Sequence, residues 1–385
     1  MKIKTFIKLG DICDISAGQG APQGDSNYCD NGTPFVKAGN LIELLQGKNE
    51  TDIQKVSEDV AKKHKLKKYT AGSILFAKSG MSCMKGYVYQ LKNDSYVVSH
   101  LAIVKPIKDS SDYIEYCLRH IKPNSLVKDE AYPSISLQDI SNLKIPLPSL
   151  EEQIKISKQL YICTQIINKH KKQLERYDTL IKSRFIEMFG DIRNQEKYKG
   201  IPLSNLCKTM TGGTPPTSKP EYYEGTIPWI TTVSLGPNHI DGKNAKGYIT
   251  EEAIKNSATK LIPVGNILFG TRVGVGKSSI NDVDICTNQD IIALIGIDES
   301  RYSKLFIKHV LDQYQPYFDS IKKGATILGI TTDDVKKSLI PDVSLSLQKE
   351  FENFVQQIDK SKFAVQKSLE KAETLYKSLM QEYFA

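Results

Sequence analysis

The sequence predicts an α+β fold written twice: two similar mixed α/β domains joined by two long helices that pair antiparallel as a coiled coil. Three observations predict it. The two halves of the chain repeat one another at an offset near 194 residues. Each half runs through a β-rich mixed segment and then a helical one. The two helical segments carry a heptad seam.

The repeat is read from matched anchors. Leu9 to Cys13 resembles Leu203 to Cys207, Gly18 falls on Gly212, and Thr33 to Val36 falls on Ile227 to Ile230. Gly72 to Phe76 matches Gly265 to Phe269, and Asp139, Ile140, Ile145 and Pro146 match Asp334, Val335, Ile340 and Pro341. A period this long excludes a small solenoid repeat and implies a duplicated domain. Within each mixed segment, short β-rich runs (73–77, 96–104, 266–270 and 290–295) alternate with Gly, Pro and Asn turns.

The expected division is a first mixed domain over 1–148, a central helix over 149–190, a second mixed domain over 191–344 and a C-terminal helix over 345–385. Ser149 with Glu152 opens the first helix as a capping box. The second is expected to open at Ser346, with Lys349 in place of the acid. In the second helix Phe351, Ile358, Val365, Ala372 and Leu379 recur every seven residues, and Val355, Leu369 and Tyr376 fall on the line between them. In the first helix the corresponding positions include Ile156, Leu160, Ile167, Leu174 and Ile181. A 4-3 pattern held this long wants a helical partner, and each helix is the other's natural one. Cys163 and His170 lie on the seam, where a polar residue that sets register is favoured over a metal ligand.

At 385 residues the chain suits two domains, each within the usual range of about 100–200 residues. Its 40% hydrophobic and 25% charged residues fit a globular protein. The N-terminal residues lack the apolar run of a signal peptide. The longest apolar stretches, such as 291–295, are too short for a bilayer, so a cytoplasmic protein is expected. Seven cysteines without a C-x-x-C pair suggest neither a disulfide framework nor a zinc site. The net charge of +8 leans towards a polyanionic partner. Part of the excess lies in Lys62, Lys63, Lys65, Lys67 and Lys68, which a solvated face explains equally well.

Signatures of catalysis are missing. The sequence holds no N/D-P-P-F/Y tetrapeptide, and no cofactor is expected. Residues 270–278 imitate a phosphate loop, but Thr271 stands where G-x-x-x-x-G-K-[ST] needs its first glycine. A glycine-rich turn carrying Arg272 and Lys277 fits a phosphate contact or a plain hairpin with cationic tips. The matching turn in the first half carries Lys78 and Lys85.

Taken in order, Thr211 to Pro215, Ile227 to Trp229, Gly265 to Phe269, Thr287 to Gln289, Ile340–Pro341 and Ser149 to Gln153 resemble the specificity subunits of type I restriction–modification systems, over essentially the whole chain. The first half departs in places. Residues 17–20 replace Gly-Gly-Thr-Pro, and Ser99–His100 stands where Asn288–Gln289 stands. The resemblance implies that each mixed segment is a target recognition domain reading one half of a split, asymmetric site in double-stranded DNA. The helices would be spacers that dock two methyltransferase (modification) subunits, which two ATP-dependent restriction subunits can join, with no membrane involved. Candidate DNA contacts are Lys37, Lys78, Ser79, Lys85, Thr231, Thr232, Arg272 and Lys277. Positions shared by the halves, such as Gly72/Gly265 and Pro34/Pro228, are expected to be scaffold, and base reading should lie where the halves differ. The competing readings are a stand-alone DNA-modifying enzyme and a coiled-coil adaptor.

If helix length sets the gap between half-sites, one heptad inserted after Leu174 adds about 10.5 Å and roughly three base pairs of unread spacer. Methylation mapping in cells carrying the variant should show both half-site sequences kept and the gap lengthened. An unchanged gap would refute the ruler.

Overall fold

The computed structural model describes residues 5–243, 245–324 and 326–385. The chain divides into two compact units: Met1–Lys171 with Lys367–Ala385, and Lys172–Gln366. Each unit therefore combines a mixed domain with part of both long helices.

In the first unit, Phe6–Lys8 pairs antiparallel with Lys144–Pro146, tying the two ends of the mixed domain together. A four-stranded antiparallel sheet runs in the order Cys13–Ala17, Leu101–Pro106, Ile74–Ala77, Val88–Gln90. In a three-stranded sheet, Thr33–Val36 lies antiparallel to Lys55–Val56 and parallel to Tyr96–Val97. The run 96–104, expected as one strand, is thus two, joined through a turn at Ser99 and His100 and belonging to different sheets.

The second unit repeats the plan. Gly200–Pro202 pairs with Leu339–Pro341. One sheet has the order Lys208–Thr211, Ile291–Ile295, Ile267–Gly270, Ser278–Asn281, His239–Ile240. The other has Gly247–Ile249, Ile227–Ile230, Ile285–Thr287, Leu261–Ile262, with its middle pair parallel. Equivalent short helices, Leu137–Ser141 and Thr332–Lys336, are capped by Ser136 and Thr331. The carboxylates of Asp139 and Asp334 accept hydrogen bonds from the hydroxyls of these caps, which holds both carboxyls below their usual range. Gly72 (φ 85°) and Gly265 (φ 80°) take the left-handed turn before the matched strand, where a side chain would be strained.

The long helices run Leu150–Phe189 and Leu345–Phe384, each 40 residues or about 60 Å at 1.5 Å per residue. Ser149 Oγ accepts from Glu152 N–H at 3.4 Å. The second helix is capped by Ser344, not by Ser346, through Leu347 N–H at 3.3 Å, because Ser344 is the residue equivalent to Ser149. Within the first unit, Gln159 bonds Tyr383 (2.7 Å) and Lys171 pairs with Glu373 (2.9 Å). Within the second, Asp178 pairs with Lys362 (2.6 Å) and Arg184 with Glu350 (3.1 Å). One partner number rises as the other falls in each unit, so the paired segments run antiparallel.

Ile156 and Leu160 enter the core of the first unit beside Met380 and Phe384. Ile181 enters that of the second beside Phe185, Phe189, Phe351 and Val355. Ile358 packs against the latter core, Tyr376 against the former, and Leu369 is buried. Ile167, Leu174 and Val365 are half-buried. Thus the apolar seam residues are deepest where the helices lie against the mixed domains.

An equivalent buried glutamine helps join each helix to its domain. Gln153 and Gln348 occupy the fourth turn-forming position of the two helices and are almost fully buried. Gln153 Oε1 accepts from Ser110 N–H (3.0 Å), while its Nε2 donates to Asp109 Oδ1 (2.8 Å) and Pro148 O (3.0 Å). Gln348 Oε1 accepts from Ser303 N–H (2.9 Å), and its Nε2 donates to the carbonyls of Arg301 and Val343 (both 3.0 Å). Ser110 and Ser303 cap the helices Ser111–Ile121 and Lys304–Gln313, which lie in the core of each unit.

Replacing Gln348 with Leu removes the partner of three backbone groups, of which the Val343 carbonyl is buried, and an unpaired buried group costs about 1–3 kcal/mol. The second unit should lose at least about 2 kcal/mol in urea unfolding followed by fluorescence of Trp229, the chain's one tryptophan. An unchanged midpoint would show that the staple contributes nothing.

Candidate nucleic-acid interface

The glycine-rich segment 270–277 joins two antiparallel strands, Ile267–Gly270 and Ser278–Asn281. Gly270 N–H donates to Lys277 O (2.9 Å) and Gly276 N–H to Gly270 O (3.0 Å). The segment is a closed hairpin turn that leads into a strand, so it lacks the helix N-terminus on which a phosphate loop depends. Its first-unit counterpart links Ile74–Ala77 to Val88–Gln90 and contains a short helical turn, Met81–Lys85. Lys85 and Lys277 are exposed on these turns, and Lys78 is half-buried just beyond its strand.

In each unit, three segments meet beside this hairpin. In the first, Lys78 N–H donates to His100 O (2.9 Å) and Ile135 N–H donates to Lys78 O (2.8 Å). In the second, Thr271 N–H donates to Asp290 O (2.8 Å) and Ile330 N–H donates to Thr271 O (2.9 Å). The strand registers agree, since Ala77 opposes Leu101 and Gly270 opposes Ile291. They place Ser99–His100 on Gln289–Asp290, one residue later than the sequence pairing with Asn288–Gln289. The backbone register decides this equivalence, and turn residues carry little pattern of their own.

The next side chain along differs. Ser79 Oγ lies 2.8 Å from His100 Nδ1, whereas Arg272 forms an ion pair with Asp290 at 3.7 Å. Tyr132 (82% exposed) and Met81 (69%) stand out from the first unit's turns, and Val233 (82%), Val273, Ile327 and Leu328 from the second's. These exposed apolar tips, with His100 and Asp290, were not singled out from sequence. Only their place on turns could have suggested them.

Other candidates are less directly placed. Lys37 Nζ donates to Gln54 (2.6 Å) and sits 4.5 Å from the centroid of Tyr28. Thr231 is half-buried. Thr232 is 4% exposed and packs near Gly270, so it presents no free hydroxyl surface to a ligand, and Val233 is the exposed residue of that turn. The lysine-rich run is held at the first unit's tip. Gln19 Nε2 donates to Lys65 O (2.7 Å), Lys67 N–H donates to Gln19 Oε1, and Gln19 O accepts from Ser99 N–H (2.8 Å). Lys65, Lys67 and Lys68 are exposed, with Lys67 Nζ 5.5 Å from the centroid of Tyr69 and Lys68 Nζ 5.9 Å from that of Tyr96.

Among the described residues, no cluster of three or more His, Cys, Asp or Glu could hold a metal. Burial pushes the Cys13 thiol up to about 12 and those of Cys207 and Cys286 up to about 11, far from thiolate reactivity. No helix among the described residues is long and apolar enough to cross a membrane.

The family model described as "Type I restriction modification DNA specificity domain" matches residues 1–176 and again 195–373. A Methanocaldococcus jannaschii protein named as the specificity subunit of the type I restriction enzyme MjaX is 26% identical over 84% of this chain and 79% of its own length. The EcoR124I/EcoR124II specificity subunit of Escherichia coli is 27% identical over 68% of this chain and 66% of its own. The crystal structure of a type I restriction–modification S subunit from M. genitalium superposes with a TM-score of 0.60 at 14% identity, covering 100% of this chain and 97% of that one. A structure described for complex assembly of the type I system gives 0.58 at 16% identity, over 98% and 97%. With the family matched twice, once in each half, and the same fold in solved S subunits, the chain belongs to the type I restriction–modification DNA specificity family.

Proposed function

We propose that this chain supplies the DNA sequence specificity of a type I restriction–modification enzyme and performs no chemistry itself. Each unit reads one half of a bipartite, asymmetric target in double-stranded DNA. The observation that carries this reading is the pair of equivalent loop tips, with one backbone arrangement and two different sets of side chains. Duplicated domains that kept their scaffold and changed their contact residues suit a target of two unlike half-sites. Cations beside each tip supply the sequence-independent part of binding.

The long helices suit the partners. Leu150, Ile154, Tyr161, Ile162 and Ile166 are exposed along the first helix. In the second unit, Phe363 is 72% exposed. Apolar side chains left in water along a helix fit docking of a protein partner. We assign it to methyltransferase subunits, two per chain because the fold is duplicated, with two ATP-dependent restriction subunits joining them. The direct test is methylation of DNA by the chain alone and with its modification subunit. The pair should methylate a split motif and the isolated chain nothing, and transfer by the chain alone would overturn the non-catalytic role.

Lys85 and Lys277 are assigned as phosphate contacts because both are exposed on the turns beside the tips. Lys277→Gln should weaken binding to all duplexes alike and flatten the dependence of log K on log salt by about one unit. A changed sequence preference at constant slope would make Lys277 a base reader instead.

A further inference from the structure

Arg272 is an unusual choice for a phosphate contact. Its guanidinium faces the Asp290 carboxylate at 3.7 Å, an ion pair rather than a hydrogen bond, so the pair as a whole is neutral. A neutral pair releases few counterions and adds little general affinity. What it supplies is direction. Asp290 is anchored from behind, since its Oδ2 accepts from Asn288 Nδ2 at 3.0 Å and its backbone carbonyl accepts from Thr271 N–H. Asn288 is itself nearly buried and donates its N–H to Ile230 O (3.1 Å). On the other side Gly329 lies against the arginine stem, close enough that a Cβ there would come within 2.8 Å of Arg272 Cγ. The stem is therefore confined between a pinned carboxylate and a backbone, while 55% of the side chain remains exposed.

We infer that Arg272 reads a guanine in the half-site of the second unit, with Asp290 as the positioning residue that aims it. A guanidinium holding a carboxylate on one edge still offers parallel N–H donors on another. Guanine presents the matching acceptors, O6 and N7, side by side in the major groove, and arginine against this pair is the commonest specific contact to a base. Val273, Ile327 and Leu328, all more than half exposed, surround the arginine's turn and the adjoining loop. They suit contact with base edges and thymine methyls better than with phosphates.

The first unit supports the assignment by contrast. At the same backbone position it carries the Ser79–His100 pair, which has no guanidinium. A phosphate contact is indifferent to sequence and could be common to both units. A position where equal backbones carry unlike side chains is where two half-sites would be told apart.

The inference rests on the DNA-reading function proposed above, and one experiment separates the two. The full chain, purified with its modification subunit, is used to select duplexes from a random library, and binding to the selected site is measured against salt. The wild type should select a split motif. Arg272→Ala should relax one G·C pair in one half-site, leave the other half-site intact, weaken the parental site roughly ten- to hundredfold, and leave the salt slope nearly unchanged. Asp290→Asn keeps the shape and frees the arginine's charge. It should relax the same base pair while strengthening non-specific binding and steepening the salt slope by up to about one unit. Opposite effects on general affinity with a shared effect on one base pair are not expected of a merely structural role.

An Arg272→Ala protein that keeps its motif but loses affinity for all duplexes, with a flatter salt slope, would make Arg272 a phosphate contact and overturn the inference. A motif unchanged in both variants would overturn it as well while leaving the proposed function standing. A wild-type chain that selects no motif would overturn both.

Discussion

The architecture depends on a buried glutamine at the start of each long helix. A helix that projects from a domain needs a rigid joint, and apolar contact alone leaves rotation and sliding weakly resisted. Gln153 and Gln348 resist both, because each accepts one backbone hydrogen bond and donates two more. Both glutamine side chains are buried, so any displacement that leaves their amides unpaired carries a desolvation cost. Through Ser110 and Ser303 the joint reaches the cap of the core helix in each unit, so the orientation of the long helix is coupled to domain packing.

From that joint outwards the two units diverge by degrees. The edge pairings Phe6–Lys8 with Lys144–Pro146 and Gly200–Pro202 with Leu339–Pro341 are equivalent. The capped helices before them are equivalent as well. At the loop tips the backbone is still shared, but serine and histidine face arginine and aspartate. Such a gradient suits a protein whose frame must engage constant partners while its tips recognise variable ones. It also separates two electrostatic tasks. In the proposed reading, exposed lysines on the turns would set affinity through the phosphates, and the paired arginine would give up net charge for a defined direction.

The sequence by itself determined the duplication, the α+β class and the helical seam, because these are written in periodic or repeated patterns. Heptad spacing needs no tertiary context, and Gly72 with Gly265 stood out as matched scaffold positions, whose left-handed backbone the structure then showed. Gln153 was visible only as part of a motif, since nothing local tells a buried glutamine from a solvated one. The tertiary structure decided what depends on register. It split the run 96–104 between two sheets, moved the second helix cap to Ser344, and buried Thr232. It shifted the equivalence of His100 from Gln289 to Asp290 and so brought Asp290 against Arg272. Residues 18 positions apart meet there because strands Ile267–Gly270 and Ile291–Ile295 pair at one register. That register is set by packing across the whole sheet, so no local stretch of sequence could reveal it.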